Sequence, residues 1–203
     1  VKSKLAHLPQ NRLQIFNIPT NDTWARDFGP ISVLHDGAPV LYNFKFNAWG
    51  LKFPADLDNL INTNLSNSGA FKCKLENKLN FVLEGGSIES DGCGTLLTTT
   101  ECLLSPNRNG EFSKQEIEEY LSLQFGLHKV IWLNHGFLEG DDTDSHIDTL
   151  ARLCPNTTIL YVGCDNPDDV HYSELKLMEC ELLQATNAQG NRFNCIKLPF
   201  PIS

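Results

Sequence analysis

The chain alternates between short apolar runs and polar turns. Six of the runs are rich in β-branched or aromatic residues and are bounded by Gly, Pro, Asn or Asp, which is the pattern of β-strands. The predicted strands are residues 12–18, 39–46, 79–83, 95–99, 129–133 and 158–162.

Three helices are predicted between these strands from apolar residues at helical spacing. The first begins at Ser113, which forms a capping box with Glu116, and stops at Gly126. The second begins near Asp168, and the third covers residues 56–66. Three apolar side chains of the second helix are predicted to point into the core: Leu175, Met178 and Leu182. The pattern indicates a mixed α/β chain.

A faint internal repeat accompanies this pattern. The tripeptide Leu-Glu-Gly occurs at 83–85 and again at 138–140, and the acidic turn 21–27 lies a similar distance before the first copy. The spacing suggests repeated αβ units that each direct one polar turn at a shared centre. Chance similarity is the competing explanation.

The composition bounds the class of protein. With 203 residues and 41% hydrophobic residues, the chain can bury one sizeable core, so we expect one domain over residues 1–203. It opens on Val1 and stops just after a strand-like run, and we expect this domain to be truncated at both ends. The formal net charge of -9 disfavours a nucleic-acid partner and favours a small cationic one.

The cysteine spacing and the hydropathy indicate in which cellular compartment the protein is expected. The seven cysteines are scattered and never form a C-x-x-C pair, unlike a disulfide framework or a zinc knuckle. We therefore expect reduced thiols and a cytoplasmic location. No apolar run approaches the ~20 residues that span a bilayer, so no membrane partner is expected.

The segment 139–148, EGDDTDSHID, concentrates the candidate chemistry. Asp142, Asp144, His146 and Asp148 alternate with other residues and would share one side of an extended chain. Three interpretations are open: a solvated acidic loop, a divalent-metal site of the three aspartates, or an acid/base histidine beside a carboxylate that holds a cation. A calcium loop of the EF-hand type fits poorly, because its sixth and twelfth positions are not Gly and Glu.

Two other turns carry candidate site residues. In NDTWARDFGP, Trp24 and Asp27 could stack on and hydrogen-bond a guanidinium or ammonium group, or Trp24 could simply be a core residue. In LEGGS, Glu84 follows an apolar run and precedes two glycines that allow close backbone approach; it could orient a histidine or lie in a hairpin turn. Further along, Arg108 could face a substrate carboxylate, and Cys102 is expected to be a buried inert thiol.

Four motifs in order carry a family resemblance: DTWARDFGP, LEGGSIESDG, TTTECLLSPNRN and GDDTDSHIDTLAR, within residues 13–165. Together they resemble the agmatine deiminases, also known as the bacterial peptidylarginine deiminase family, of the guanidine-modifying superfamily. The resemblance implies a five-bladed α/β propeller, the pentein fold, of which 203 residues would supply about three blades.

The resemblance also implies roles for individual residues. Asp27 and Asp148 would bind the two sides of a substrate guanidinium, with Trp24 as a wall over it. His146 would be the general acid/base and Glu84 its partner. Agmatine would be hydrolysed to N-carbamoylputrescine and ammonia, a step of putrescine biosynthesis, without a metal or organic cofactor.

One feature of the family pattern is missing. The family's nucleophilic cysteine follows a histidine in a glycine-rich segment, whereas Cys195 has neither a preceding His nor nearby glycines. We therefore predict that this chain lacks the nucleophile and is inactive or nearly so as it stands. Alternatives are a hydrolase of peptidyl-arginine or another guanidine, and a non-catalytic guanidine-binding fragment; a homo-oligomer is compatible with either.

Overall fold

The computed structural model describes residues 2–200 and contains nine strands in three separate sheets. The sheets have the orders β1-β2-β3, β4-β5-β6 and β7-β8-β9. The strands are β1 Ile31–His35, β2 Ala38–Lys45, β3 Lys74–Val82, β4 Ile88–Ser90, β5 Thr95–Thr99, β6 Lys129–Leu133, β7 Ala151–Cys154, β8 Thr158–Gly163 and β9 Asn194–Pro199.

The helices are mostly short and lie between the strands. The helical segments are α1 Ala25–Phe28, α2 Ala48–Leu51, α3 Asp58–Asn67, α4 Thr100–Leu103, α5 Pro106–Asn109, α6 Lys114–Phe125, α7 Ile147–Leu150 and α8 Tyr172–Gln184. Single 3₁₀ turns cover Lys2–Leu5, Gln10–Arg12 and Gly85–Ser87. No helix among the described residues is both long and apolar enough to cross a membrane.

All three sheets share one connectivity. In each, the first two strands form an antiparallel hairpin, and the third pairs in parallel with the second. The parallel pairs need a crossover, which contains α3, α6 and α8 in turn. The repeated αβ units predicted from the sequence are therefore present.

The cores lie between neighbouring sheets. Strand β5 is buried along its whole length, and its successive side chains point in opposite directions. Leu96 packs with residues of the first sheet and α6, whereas Leu97 packs with the third sheet and α8. The middle sheet is thus covered on both faces.

Most of the predicted elements are present. Strands 95–99 and 129–133 have the predicted bounds, and helix α6 has the capping box at Ser113 and a left-handed Gly126. Helix α8 begins only at Tyr172, and the three apolar side chains predicted to point inward are fully buried.

The strand predicted at 12–18 is wrong. Residues 13–20 form neither helix nor strand, and Ile15 is 46% exposed. The apolar run has high strand propensity but no strand to pair with among residues 2–200, and propensity alone does not stabilise a strand. Strands β1, β4 and β7, which open the three sheets, were not predicted.

Candidate functional site

The three polar turns singled out in the sequence meet at Gly86. A Cβ atom on this glycine would lie 2.6 Å from Asp27 Oδ1, 2.7 Å from His146 Nδ1 and 2.8 Å from Asp148 Oδ2. Helix α1, the 85–87 turn and helix α7 each directly precede the first strand of a sheet. The repeated topology therefore brings together side chains that are up to 121 positions apart in sequence, from Asp27 to Asp148. The predicted close approach at the Gly-Gly pair is confirmed.

Asp27 is buried and held by two neutral donors. The backbone N–H of Gly86 donates to its Oδ1 at 3.0 Å, and Trp49 Nε1 donates to its Oδ2 at 2.9 Å. Burial raises the pKa of Asp27, while these two hydrogen bonds oppose the rise. The carboxylate plane is fixed before any ligand arrives.

Trp49 was not identified from the sequence. It lies in α2, a single turn in which all four residues have positive φ, with Trp49 at φ 55. Left-handed backbone is costly for residues with a Cβ, and it persists where surrounding contacts hold it. Here Asn47 accepts the N–H of Gly50, and the Trp49 ring packs against Phe46. Gly50 is the one local signal of this turn in the sequence.

His146 is 1% exposed and caps α7. Its Nδ1 lies 3.6 Å from Asp27 Oδ1, and its backbone N–H donates to Thr143 Oγ1 at 3.0 Å. The buried Nε2 has no hydrogen-bond partner among the described residues. Burial, followed by the nearby Arg108 cation, lowers the pKa of His146 to about 3. The imidazole is therefore neutral near pH 7 and available as a base.

Asp148 is less enclosed, with a side chain that is 19% exposed. Its Oδ2 lies 3.7 Å from Arg26 Nε. Burial and then repulsion from Asp27 raise the pKa of Asp148 to about 6. Two carboxylates beside one glycine disfavour their joint ionisation unless a cation binds between them.

Glu84 and Arg108 form a buried ion pair behind this cluster. Arg108 Nε donates to both Glu84 oxygens at 3.0 Å, and both side chains are 0% exposed. The prediction that Arg108 faces a substrate carboxylate is wrong, because its guanidinium donates hydrogen bonds to Glu84, Asp144 and the Thr143 carbonyl. Glu84 lies next to His146, with one ligand atom from each residue within 4.8 Å of the other.

The acidic loop does not present one face. Asp144 turns to Arg108 Nη1 at 2.6 Å and Lys52 Nζ at 2.5 Å, whereas Asp148 faces Gly86. The divalent-metal interpretation of the three aspartates is therefore poorly supported. A buried trio of Glu84, Cys102 and His146 has metal-like spacing, but the Arg108 cation already binds both carboxylate oxygens there.

A cavity of about 400 Å³ opens onto the cluster. Its lining includes Trp24, Asp27, Trp49, Phe53, His146 and Asp148. Trp24 is 62% exposed at this cavity, so it is not a core residue. An aromatic rim over two carboxylates suits a flat organic cation.

Among the described residues, no cysteine lines this cavity. Cys102 is fully buried, and burial raises the pKa of its thiol well above the usual value, as expected of an inert thiol. Cys195 lies on β9 and donates to the carbonyl of Leu182 at 3.5 Å.

Comparison with known proteins points to one family. The model of the Porphyromonas-type peptidyl-arginine deiminases matches residues 1–203. An agmatine deiminase of Pseudomonas syringae pv. tomato is 36% identical over 202 residues, which cover 97% of this chain and 54% of that protein. The chain spans about half the length of the curated relatives it matches.

Solved structures agree with this match. The C. jejuni agmatine deiminase with substrate bound is 40% identical, with a TM-score of 0.88, and the match covers 99% of this chain and 57% of that one. The agmatine deiminase of Enterococcus faecalis is 33% identical, with a TM-score of 0.84 over 92% of this chain and 52% of that one. The α/β fold is therefore shared over nearly all of the chain.

Proposed function

The chain belongs to the Porphyromonas-type peptidyl-arginine deiminase family, and we propose that its site holds the guanidinium group of agmatine for hydrolysis to N-carbamoylputrescine and ammonia. The observation that carries this proposal is the convergence of Asp27, His146 and Asp148 on Gly86. Two carboxylates and one neutral imidazole in a cavity with aromatic walls match a planar cation that must react at its central carbon.

Binding would use charge-assisted hydrogen bonds from the guanidinium to Asp27 and Asp148. A guanidinium is delocalised and planar, so a fixed carboxylate orients it best. Asp27 is fixed in this way by Trp49 and Gly86. Trp24, at the cavity rim, would stack on the ligand plane.

Chemistry would require a thiolate, which we propose is supplied from outside residues 1–203. The absence of a cysteine from the cavity lining of the described residues supports this. The thiol passes its proton to neutral His146 as its sulfur adds to the guanidinium carbon, and the C–N bond breaks as His146 returns that proton to the departing ammonia. Water activated by His146 then adds to the thiouronium carbon, and the thiolate leaves to give the ureido product.

Glu84 would act as the partner of His146. Its fully buried carboxylate is adjacent to the imidazole, and a carboxylate in that position orients the ring and stabilises its protonated form. Arg108 would then counterbalance the negative charge.

Two features support agmatine as the substrate. Several relatives that match nearly the whole chain are named agmatine deiminases, and Asp22, Asp141 and Asp142 add negative charge to the cavity lining. Agmatine carries a second cation at its far end, which such a lining would attract. Peptidyl-arginine is the alternative substrate, favoured by the family's description.

The proposal extends to the architecture and the pathway. The three sheets of identical connectivity would be three blades of a five-bladed propeller. The enzyme would act in the cytoplasm in putrescine biosynthesis, which the scattered free cysteines and the nature of the product support.

Ammonia release tests the function directly. The full-length protein is expected to release ammonia from agmatine and not from a peptidyl-arginine substrate, whereas residues 1–203 alone should bind agmatine in calorimetry without turnover. Rapid turnover by residues 1–203 would contradict the proposed source of the thiolate. A preference of the full-length protein for peptidyl-arginine would overturn agmatine as the substrate.

A further inference from the structure

Arg108 joins two parts of the site that are distant in sequence. Its Nε donates to both oxygens of Glu84 at 3.0 Å. On its other side, Nη1 donates to Asp144 Oδ2 at 2.6 Å and Nη2 donates to the Thr143 carbonyl at 2.8 Å. The side chain is 0% exposed. Its planar guanidinium therefore supplies hydrogen bonds that water cannot supply to Glu84, Asp144 and the Thr143 carbonyl.

The loop held by Arg108 leads directly into His146. Thr143 Oγ1 accepts the backbone N–H of His146 at 3.0 Å. Asp144 and Ser145 have φ of 63° and 58°, in the left-handed region. Such a pair needs external contacts to hold it, and the hydrogen bonds from Arg108 are among those contacts.

We propose that Arg108 is a positioning residue for the deiminase reaction, because it fixes Glu84 and the loop 141–146 in one frame and so keeps His146 aligned with its carboxylate partner. This role rests on the proposed function, since Arg108 acts through His146. Lysine could keep the charge but could not reach Glu84 and the loop together, because its single ammonium lacks the fork.

The charge of Arg108 has a separate effect on His146. After burial, it is the largest influence that lowers the pKa of this imidazole. The groups that face or surround His146 are Arg26 and Asp27 on α1, Glu84 before the 85–87 turn, Cys102 on α4, Arg108 on α5, Asp141 and Asp144 on its own loop, and Asp148 on α7. Positioning and charge can therefore be separated by two substitutions at one residue.

The two substitutions are Arg108→Lys and Arg108→Met in the full-length protein. Arg108→Lys is expected to lower kcat by about 100-fold, since a misplacement near 1 Å has that effect, with KM for agmatine within about threefold of wild type. Histidine NMR between about pH 5 and 8 should show His146 neutral in wild type and in Arg108→Lys. Arg108→Met should also lose kcat, and its His146 should titrate at a higher pH than in wild type.

Arg192→Met is the matched control, because Arg192 is an exposed arginine outside the cavity lining. It should leave kcat and the titration unchanged. If Arg108→Met does not fold, the double variant Glu84→Gln/Arg108→Met can be used, because it removes both buried charges. This double variant is expected to fold but not to recover kcat.

A kcat for Arg108→Lys within threefold of wild type would overturn the positioning role, as would recovery of kcat in the double variant. A wild-type protein that turns over no guanidine would instead overturn the proposed function. In that case the His146 titration in the Arg108 variants would still report the link between the two side chains.

Discussion

Asp27 and Asp148 lie beside the same glycine, yet the two turns that carry them hold them differently. Asp27 accepts hydrogen bonds from Trp49 and Gly86 and is 6% exposed. Asp148 accepts no hydrogen bond from the residues that the structure describes, and its nearest cation, Arg26 Nε, is 3.7 Å away. One carboxylate is fixed in advance, and the other is left to be satisfied by a ligand.

Under the proposed function, this difference would give the two carboxylates different roles in binding a guanidinium. A fixed carboxylate orients the ligand without an ordering cost at the time of binding. A carboxylate whose pKa is raised to about 6 gains more from a bound cation, because the cation relieves its unfavourable ionisation. Five predictions, beginning with the largest expected effect and ending with the smallest, test this division.

The largest effect is expected from removing either charge. In the full-length protein, Asp27→Asn and Asp148→Asn should each lower kcat/KM. The expected loss of transition-state stabilisation is about 3–5 kcal/mol, the same as when one partner of a buried ion pair is removed. Asp36→Asn, at an exposed turn, is the control. A change within threefold for either site variant would contradict its role.

The same two variants should differ in thermal stability, which sharpens the comparison. In Asp27→Asn, the amide NH₂ group would face the N–H donor of Trp49 or of Gly86, and two donors cannot hydrogen-bond each other. This variant should therefore have a lower Tm. The raised pKa of Asp148 means that ionising it costs folding stability as pH rises through about 6. Asp148→Asn should therefore keep or raise Tm at pH 7, and a lower Tm would show that its charge is stabilising.

Gly86→Ala is expected to disturb both carboxylates at once. The added methyl would lie within 2.8 Å of Asp27, His146 and Asp148 atoms, so these side chains must move apart. We expect agmatine affinity and kcat/KM to fall by about 100-fold. Gly69→Asn is the control, since Gly69 has open space around it and a φ of 69° that Asn tolerates. Unchanged affinity in calorimetry would place the ligand elsewhere.

Affinity should depend on pH through Asp148. A guanidinium prefers the ionised carboxylate, so binding should weaken as pH falls below about 6, by about tenfold per pH unit. His146, with a pKa of about 3, stays neutral across this range. Calorimetry between pH 5 and 7 checks this. If the dependence persists in Asp148→Asn, another carboxyl is responsible.

Trp49→Phe is the mildest test. It removes the Nε1–H donor to Asp27 and makes Asp27 resemble Asp148. We expect a loss of about 1 kcal/mol in agmatine binding, with binding that weakens at a higher pH than in wild type, since this hydrogen bond lowers the pKa of Asp27. Trp132→Phe, which loses an equivalent bond to Glu118, is the matched control and should leave affinity unchanged.

Much of the fold follows from local signals. Strands β5 and β6 were predicted with correct bounds, because both are rich in β-branched or large apolar residues and are bounded by turn residues. Strands β4 and β7 were missed because they have only three and four residues, whereas the alternating exposure of β1 is a strand signal that was not recognised. Strand 12–18 was predicted wrongly because pairing partners are a tertiary property.

In the site, too, residues within local motifs were predicted and residues that act through long-range contacts were not. Asp27, Glu84, His146 and Asp148 were identified from motifs, and the structure places all four around or beside the Gly86 region. Trp49 was not identified and Arg108 was assigned to a substrate carboxylate, because the contacts that these residues make are long-range. Nothing near Arg108 in sequence signals burial, and nothing near Trp49 signals that its ring nitrogen reaches Asp27, 22 positions away.

The strained backbone of the left-handed turn α2 implies a trade-off between thermal stability and activity. Ala48, Trp49 and Leu51 have positive φ without being glycine, at about 1–2 kcal/mol each. Glycine at the exposed Leu51 would relieve part of this strain, and stabilising changes of this kind often reduce function. Directed evolution for heat resistance alone would therefore be drawn to residues 48–51, and each gain there would loosen the indole that aligns Asp27.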